Sequence, residues 1–253
     1  MKPLLIDLDG VLRIGKNLAE GFQEFLNFLY KTGRQACVIS NSTLSNAEMV
    51  KKFFAENGID FRLPMMTSAD ATLQYVTNNY NSAAVFCSEP VLSMFLKIQN
   101  HENPEAVVLG DLGKDWDFKT INTIFKLVYN GADLIAMQKN RFWKTPEDGL
   151  LIDAGAFVTA IEFATQKEAI LIGKPSPIYF KSGLKLMGLP ESNEFIMLGD
   201  DLETDIEGAN KLGAWSILIY TGKTTYPLPA GAKVEPTFEA DNLLDVIKLL
   251  EKI

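Results

Sequence analysis

The chain has little of what staples a protein or ligates through sulfur and imidazole. Its 253 residues include two cysteines, Cys37 and Cys87, and one histidine, His101. Two cysteines inside apolar segments build no disulfide framework, so a reducing compartment is expected. A single histidine cannot supply a multi-histidine metal site. Neither cysteine is followed by an arginine at phosphate-loop spacing. Long apolar runs are missing too: none approaches the roughly 20 residues that span a bilayer, and Pro3 to Ile6 is too short for a signal-peptide core. Positive charge is scarce, 24 Lys and Arg against 32 Asp and Glu, for a formal charge of −8. That balance offers no field for a nucleic-acid backbone. There is no low-complexity tract and no internal repeat. A soluble cytoplasmic protein that binds neither nucleic acid nor membrane is therefore expected, and its 47% apolar content suffices for a sizeable core.

What is present is a set of four polar segments, far apart in the chain, each following a short apolar run that reads as a buried strand. Asp7 and Asp9 follow Leu4 to Ile6, Ser40 and Asn41 follow Cys37 to Ile39, Lys174 follows Ala169 to Ile172, and Asp200 and Asp201 follow Phe195 to Leu198. In an open parallel α/β sheet, ligands bind in the crevice at the carboxyl ends of the strands. If the four strands share one sheet, these residues converge there. Like charges 4 Å apart cost about 4 kcal/mol per pair at intermediate dielectric, so such a cluster needs a cation. Oxygen-only ligands suit a hard divalent ion, usually Mg²⁺ held by one or two carboxylates and a substrate phosphate.

Local pattern supports alternating strands and helices. Phe22, Phe25, Leu26 and Leu29 lie at helical spacing between Leu18 and Tyr30, with Gly33 as the stop before a Gln35 to Ile39 strand. Ser45 to Glu48 reads as a capping box opening a second helix that Gly58 ends. Only 33 positions separate Asp7 from Ser40, enough for one βαβ unit. By contrast, 134 separate Ser40 from Lys174, and 26 separate Lys174 from Asp200. An extra module must fill the long gap. It is placed at residues 79–171, with strands near Ala84 to Cys87, Ala106 to Leu109 and Ala132 to Met137, and a helix from Ala156 to Thr165. The core is then residues 1–78 and 172–253. Thr221 to Pro236, rich in Gly, Pro and Thr, reads as a surface loop.

The four segments, in this order and spacing, resemble the four motifs of the haloacid dehalogenase (HAD) superfamily. The late insert resembles the type-2 cap of its NagD-like phosphatases. Gln138 to Lys144, Gly155 to Thr165 and Gly173 to Pro177 are similar to the branch containing phospholysine phosphohistidine inorganic pyrophosphate phosphatase. The resemblance implies an α/β fold, a Rossmann-like doubly wound parallel-sheet core with an inserted α/β cap. It also implies a Mg²⁺-dependent phosphatase acting on a small phosphorylated molecule.

On that resemblance Asp7 is the nucleophile, forming an aspartyl phosphate that splits hydrolysis into two displacements. Asp9 is the general acid and base, and its backbone carbonyl helps hold the metal. Lys174 neutralises nucleophile and phosphate, Ser40 and Asn41 bind phosphoryl oxygens, and Asp7, Asp9 and Asp200 make the metal set. Asp201 and Asp205 stand behind them, Asp205 at the start of a helix that ends at Gly213. In the cap, Lys139, Asn140 and Arg141 are the residues that approach substrate in relatives, while Phe142 and Trp143 suit packing.

Other readings compete. Each of these residues also has an ordinary use: an aspartate or serine as a turn former, a lysine before proline as a solvated loop residue. A phosphotransferase would replace water by an acceptor hydroxyl. A phospho-accepting signalling module would hold Asp7 phosphorylated with little turnover, but such modules need about half this length. Gly222, Lys223 and Thr224 resemble the end of a nucleotide-binding loop, yet Ile217 stands where its first glycine is required. Physiological substrate and assembly stay open, with room for a homodimer through an exposed cap surface.

Overall fold

The computed structural model describes residues 1–145, 149–192, 194–228 and 230–253. It divides into two compact units. One comprises Met1–Ser40, Arg62–Met65 and Lys174–Ile253; the other comprises Asn41–Phe61 and Met66–Gly173.

A six-stranded sheet runs in the order Phe238–Ala240, Trp215–Ile219, Ile196–Gly199, Leu4–Ile6, Ala36–Ser40, Met65–Thr67. The pairings from the first of these strands through Ala36–Ser40 are all parallel. Leu4–Ile6 and Ala36–Ser40 are buried at every position, as strands covered on both faces must be. The helix Phe22–Thr32 buries the expected Phe22, Phe25, Leu26 and Leu29 and ends at Gly33. The helix Pro177–Leu186 sits directly on the sheet: a Cβ on its Gly183 would meet Leu5 at 2.9 Å and Ile39 at 3.1 Å. Its Tyr179 hydroxyl donates to the Ser40 carbonyl at 2.6 Å.

The second unit holds a four-stranded parallel sheet, ordered Ile170–Leu171, Asp133–Ala136, Ala106–Leu109, Ala83–Phe86. Helices Phe118–Tyr129 and Ala154–Thr165 contribute Ile124, Val128, Val158 and Ile161 to its core.

Two expectations are corrected. Ile170–Leu171 pairs with Asp133–Ala136 and so belongs to the second sheet; the four polar segments do not follow four strands of one sheet. A short apolar run signals a strand but carries no information about its neighbour. The second helix, Ala47–Glu56, is capped by Asn46, whose side chain accepts from Met49 N–H at 2.9 Å, while the Ser45 hydroxyl pairs with that of Ser42 at 3.0 Å. Phe142 and Trp143, read as packing residues, lie in paired antiparallel strands, Phe142–Thr145 with Gly149–Ile152.

Candidate active site

Asp7 and Asp200 leave the ends of adjacent strands, so the parallel register brings their carboxylates together. Asp205 joins them because the chain after Asp200 winds immediately into a helical turn, Leu202–Ile206. Asp7, Asp200 and Asp205 each place a carboxylate oxygen within 4.8 Å of the others, and all three are buried. Lys174 reaches the same point from the loop that enters the Pro177–Leu186 helix. Its Nζ lies 2.7 Å from Asp7 Oδ1 and 2.7 Å from Asp205 Oδ1, with the side chain 1% exposed. Asp205 Oδ1 accepts no well-directed hydrogen bond among the described residues despite that ion pair, and Asp205 Oδ2 accepts from Asp201 N–H at 3.1 Å. Ser40, also buried, ends the strand beside that of Asp7.

Charge at this point does not balance. Three buried carboxylates face one fully buried ammonium, an excess of two acidic groups over the cation. Burial, only partly offset by Lys174 and reinforced by Asp200, pushes the Asp7 carboxyl up to about 7. Burial and then the charge of Asp205 raise Asp200, and burial raises Asp205 in spite of Lys174. Burial alone would lower Lys174, yet Asp205 and Asp7 together carry it above the ordinary lysine value. An all-oxygen donor set and an excess of two carboxyl groups over the one ammonium fit a hard divalent cation such as Mg²⁺.

Asp9 stands beyond the strand that positions Asp7. The strand ends at Ile6, and Asp9 lies in a turn where Arg13 grips its carboxylate through Nε at 2.8 Å and a terminal nitrogen at 3.1 Å. Its side chain is 52% exposed, so its carboxylate stands apart from the buried group while still adding to the charge felt by Asp7. Asp201 pairs with Lys223 Nζ at 2.6 Å and accepts from Glu203 N–H at 2.9 Å. Burial would raise Asp201, but Lys223 more than offsets this and holds the carboxyl below its usual range.

Asn41, Lys139, Asn140 and Arg141 belong to the other unit. There Asn41 Nδ2 donates to Asn140 Oδ1 at 3.4 Å. Lys139 Nζ binds both Glu162 oxygens, at 3.0 and 2.7 Å. Asn140 N–H donates to Gln138 Oε1, and Gln138 Nε2 donates to the buried Asp153 at 2.7 Å. The Arg141 guanidinium stands 5.5 Å from the Phe142 ring centre. Sequence reading missed the partners Glu162, Asp153 and Lys223. Only Lys223 carried a signal, as part of the rejected Gly222–Thr224 loop.

Residues 4–99 match the haloacid dehalogenase-like hydrolase family model, and residues 171–246 match the HAD-hydrolase-like model. The mouse haloacid dehalogenase-like hydrolase domain-containing protein 2 is 32% identical, the match covering 93% of this chain and 90% of that protein. Mouse phospholysine phosphohistidine inorganic pyrophosphate phosphatase is 28% identical over 100% of this chain and 95% of its own length. The crystal structure of a 4-nitrophenylphosphatase from Thermotoga maritima superposes with a TM-score of 0.88 at 25% identity, covering 98% of this chain and 97% of that one. The chain belongs to the haloacid dehalogenase-like hydrolase family. Within it, the chain is an enzyme of the HAD phosphatase type.

Proposed function

We propose that this chain is a Mg²⁺-dependent phosphatase that hydrolyses a small phosphorylated molecule through an aspartyl phosphate on Asp7. The observation that carries the reading is the buried Asp7–Lys174–Asp205 ion-pair chain beside Asp200, with two more carboxyl groups than ammonium groups. Asp7 and Asp200, with the Asp9 carbonyl, would hold the cation, and Asp205 would steady Lys174 beside them. When bound, Mg²⁺ supplies neutralising charge for the phosphoryl oxygens.

An Asp7 oxygen attacks phosphorus, the bond from phosphorus to the leaving oxygen breaks, and Asp9 gives that oxygen a proton. Water then attacks the phosphoryl group, Asp9 takes its proton, and the bond to Asp7 breaks to regenerate the carboxylate. Such acid–base assistance is typically worth about 10²–10⁴-fold. Lys174, Ser40 and Asn41 bind phosphoryl oxygens, and positioned charge does most of the work in phosphoryl transfer.

Residues 79–171 act in this reading as the cap that selects the leaving group. Asn140 and Arg141 meet it, and Lys139 holds their loop through Glu162. Phosphomonoesters, pyrophosphate and phosphoamidates are the substrate classes to try, in a protein placed in the cytoplasm and free of nucleic acid and membrane. No described helix is long and apolar enough to cross a membrane. The test is phosphate release from a panel of these compounds with and without Mg²⁺, with Asp7→Asn as control. Turnover that needs both Mg²⁺ and Asp7 supports the reading; release unchanged by Asp7→Asn would remove Asp7 as the nucleophile.

A further inference from the structure

The loop after the Trp215–Ile219 strand is not an idle surface turn. Thr221 Oγ1 donates to the Gly10 carbonyl at 2.5 Å, and Thr224 N–H donates to the Asp200 carbonyl at 3.1 Å. Between these anchors, Lys223 N–H donates to Asp200 Oδ2 at 2.5 Å while its ammonium binds Asp201 Oδ2 at 2.6 Å. The Asp200 carboxylate is thereby sandwiched between two glycines. A Cβ on Gly222 would strike Asp200 Oδ2, lie 2.6 Å from its Cγ and stand 2.7 Å from the Gly10 Cα; a Cβ on Gly10, whose φ is +86°, would strike the same oxygen.

We propose that Lys223 is a positioning residue for the cation site: by anchoring on Asp201 it holds its own backbone N–H on Asp200 Oδ2 and fixes the rotamer in which Asp200 faces Asp7. The inference rests on the reading of Asp7 and Asp200, with the Asp9 carbonyl, as a divalent-cation site. It assigns Lys223 no contact with substrate or with the reacting atoms.

Electrostatics and positioning predict opposite signs. Lys223 is itself a cation within reach of the site. If its charge were its only effect, removing it would free Asp201 as an unpaired anion and tighten the binding of a divalent ion. If it positions Asp200, removing it loosens a ligand, and the loss of a supporting contact to a metal ligand typically costs about 10–100-fold in metal affinity. The Lys223 side chain is 32% exposed, so a flexible apolar replacement has room.

The experiment is calorimetric titration of the full chain with Mg²⁺, without substrate. Lys223→Met is expected to weaken Mg²⁺ binding by about 10–100-fold, with Lys223→Arg retaining affinity near the wild type. Lys223→Gln repeats the measurement with a polar neutral chain, should the methionine variant fold poorly. Because Lys223 acts through its anchor, Asp201→Asn combined with Lys223→Met should bind no more weakly than Lys223→Met alone. Mg²⁺ affinity equal to or tighter than wild type in the neutral variants would overturn the positioning role and leave the cation site standing. A wild-type chain that binds no Mg²⁺ would overturn both.

Discussion

Two polar constellations in this molecule are built from the same materials to opposite ends. Around Asp7, two buried carboxylates share one ammonium and a third, that of Asp200, stands beside them, so carboxylates outnumber the cation. Around Gln138–Arg141, the groups largely satisfy one another by direct bonds: Lys139 with Glu162, Gln138 with Asp153, and Asp153 also with Ala154 N–H at 2.6 Å. A polar cluster that satisfies itself holds a loop in shape. One that is dry and electrically incomplete is completed by a ligand, because an uncompensated buried charge is costly.

The contrast can be broken most sharply at Asp7. Asp7→Asn keeps shape and volume but removes the attacking charge, and phosphate release should fall by roughly a thousand-fold or more, the scale of losing a catalytic nucleophile, with circular dichroism unchanged. Retained turnover would place the chemistry elsewhere. Next comes Lys174→Met, which strands Asp7 and Asp205 without their cation. Breaking a buried pair costs about 3–5 kcal/mol, to be read from urea unfolding without metal, and Mg²⁺ should restore part of the loss. A change near zero would mean that the carboxylates already share protons and need no lysine.

In the self-satisfied constellation the effects should be smaller and of a different kind. A Cβ on Gly155 would collide with the Lys139 and Asn140 backbone. Gly155→Ala should therefore cost about 1–3 kcal/mol of overpacking and raise KM while leaving Mg²⁺ titration as in the wild type. Weakened Mg²⁺ binding would deny that the two constellations are separable. Lys139→Met removes an ion pair whose lysine is 30% exposed; solvent screening limits the loss to about 1 kcal/mol or less, measurable as a small fall in melting temperature.

The smallest effect lies at Asp117, the fully exposed cap of the helix Phe118–Tyr129. Its bond from Thr120 N–H, 2.7 Å long, holds the carboxyl below the usual 3.8. A lowered folded-state pKa means stability that is present above the unfolded value and lost as pH falls through the folded one. The melting-temperature gap between wild type and Asp117→Ala should thus be constant near neutrality and shrink as pH drops below about 4. A gap that widened in acid would reverse the assignment.

Much of this is legible in the sequence. Asp7, Ser40 and Asp200 could be placed because each follows an apolar run too short for anything but a strand, and parallel strands put their carboxyl ends on one edge. The first helix was readable because its four buried side chains keep the helical period. Lys174 was assigned by its motif, yet the reason given for its location fails: the strand before it belongs to the other sheet, and the Pro177–Leu186 helix packed on Leu5 and Ile39 carries it in. Asp205 seemed to stand behind the cluster, and the turn at Leu202–Ile206 brings it inside. Lys223 carries a signal only as part of a rejected nucleotide-binding loop, because nothing local in Gly222–Thr224 tells which distant turn it will tie down.

By itself, then, the sequence determined the kinds of element, the residues at the strand ends, and the charge imbalance that any fold placing those ends together must meet. Those properties depend on neighbours within a few positions of the chain and on composition. Tertiary structure alone decided which sheet each strand joined, that Asp9 turns outward to Arg13, that Asp205 shares Lys174 with Asp7, and that a loop more than 20 residues beyond Asp200 reaches back to hold it. Such facts are set by packing between segments remote in the chain, where a difference of one helical turn or one strand neighbour moves a side chain several ångströms and changes what it can bind.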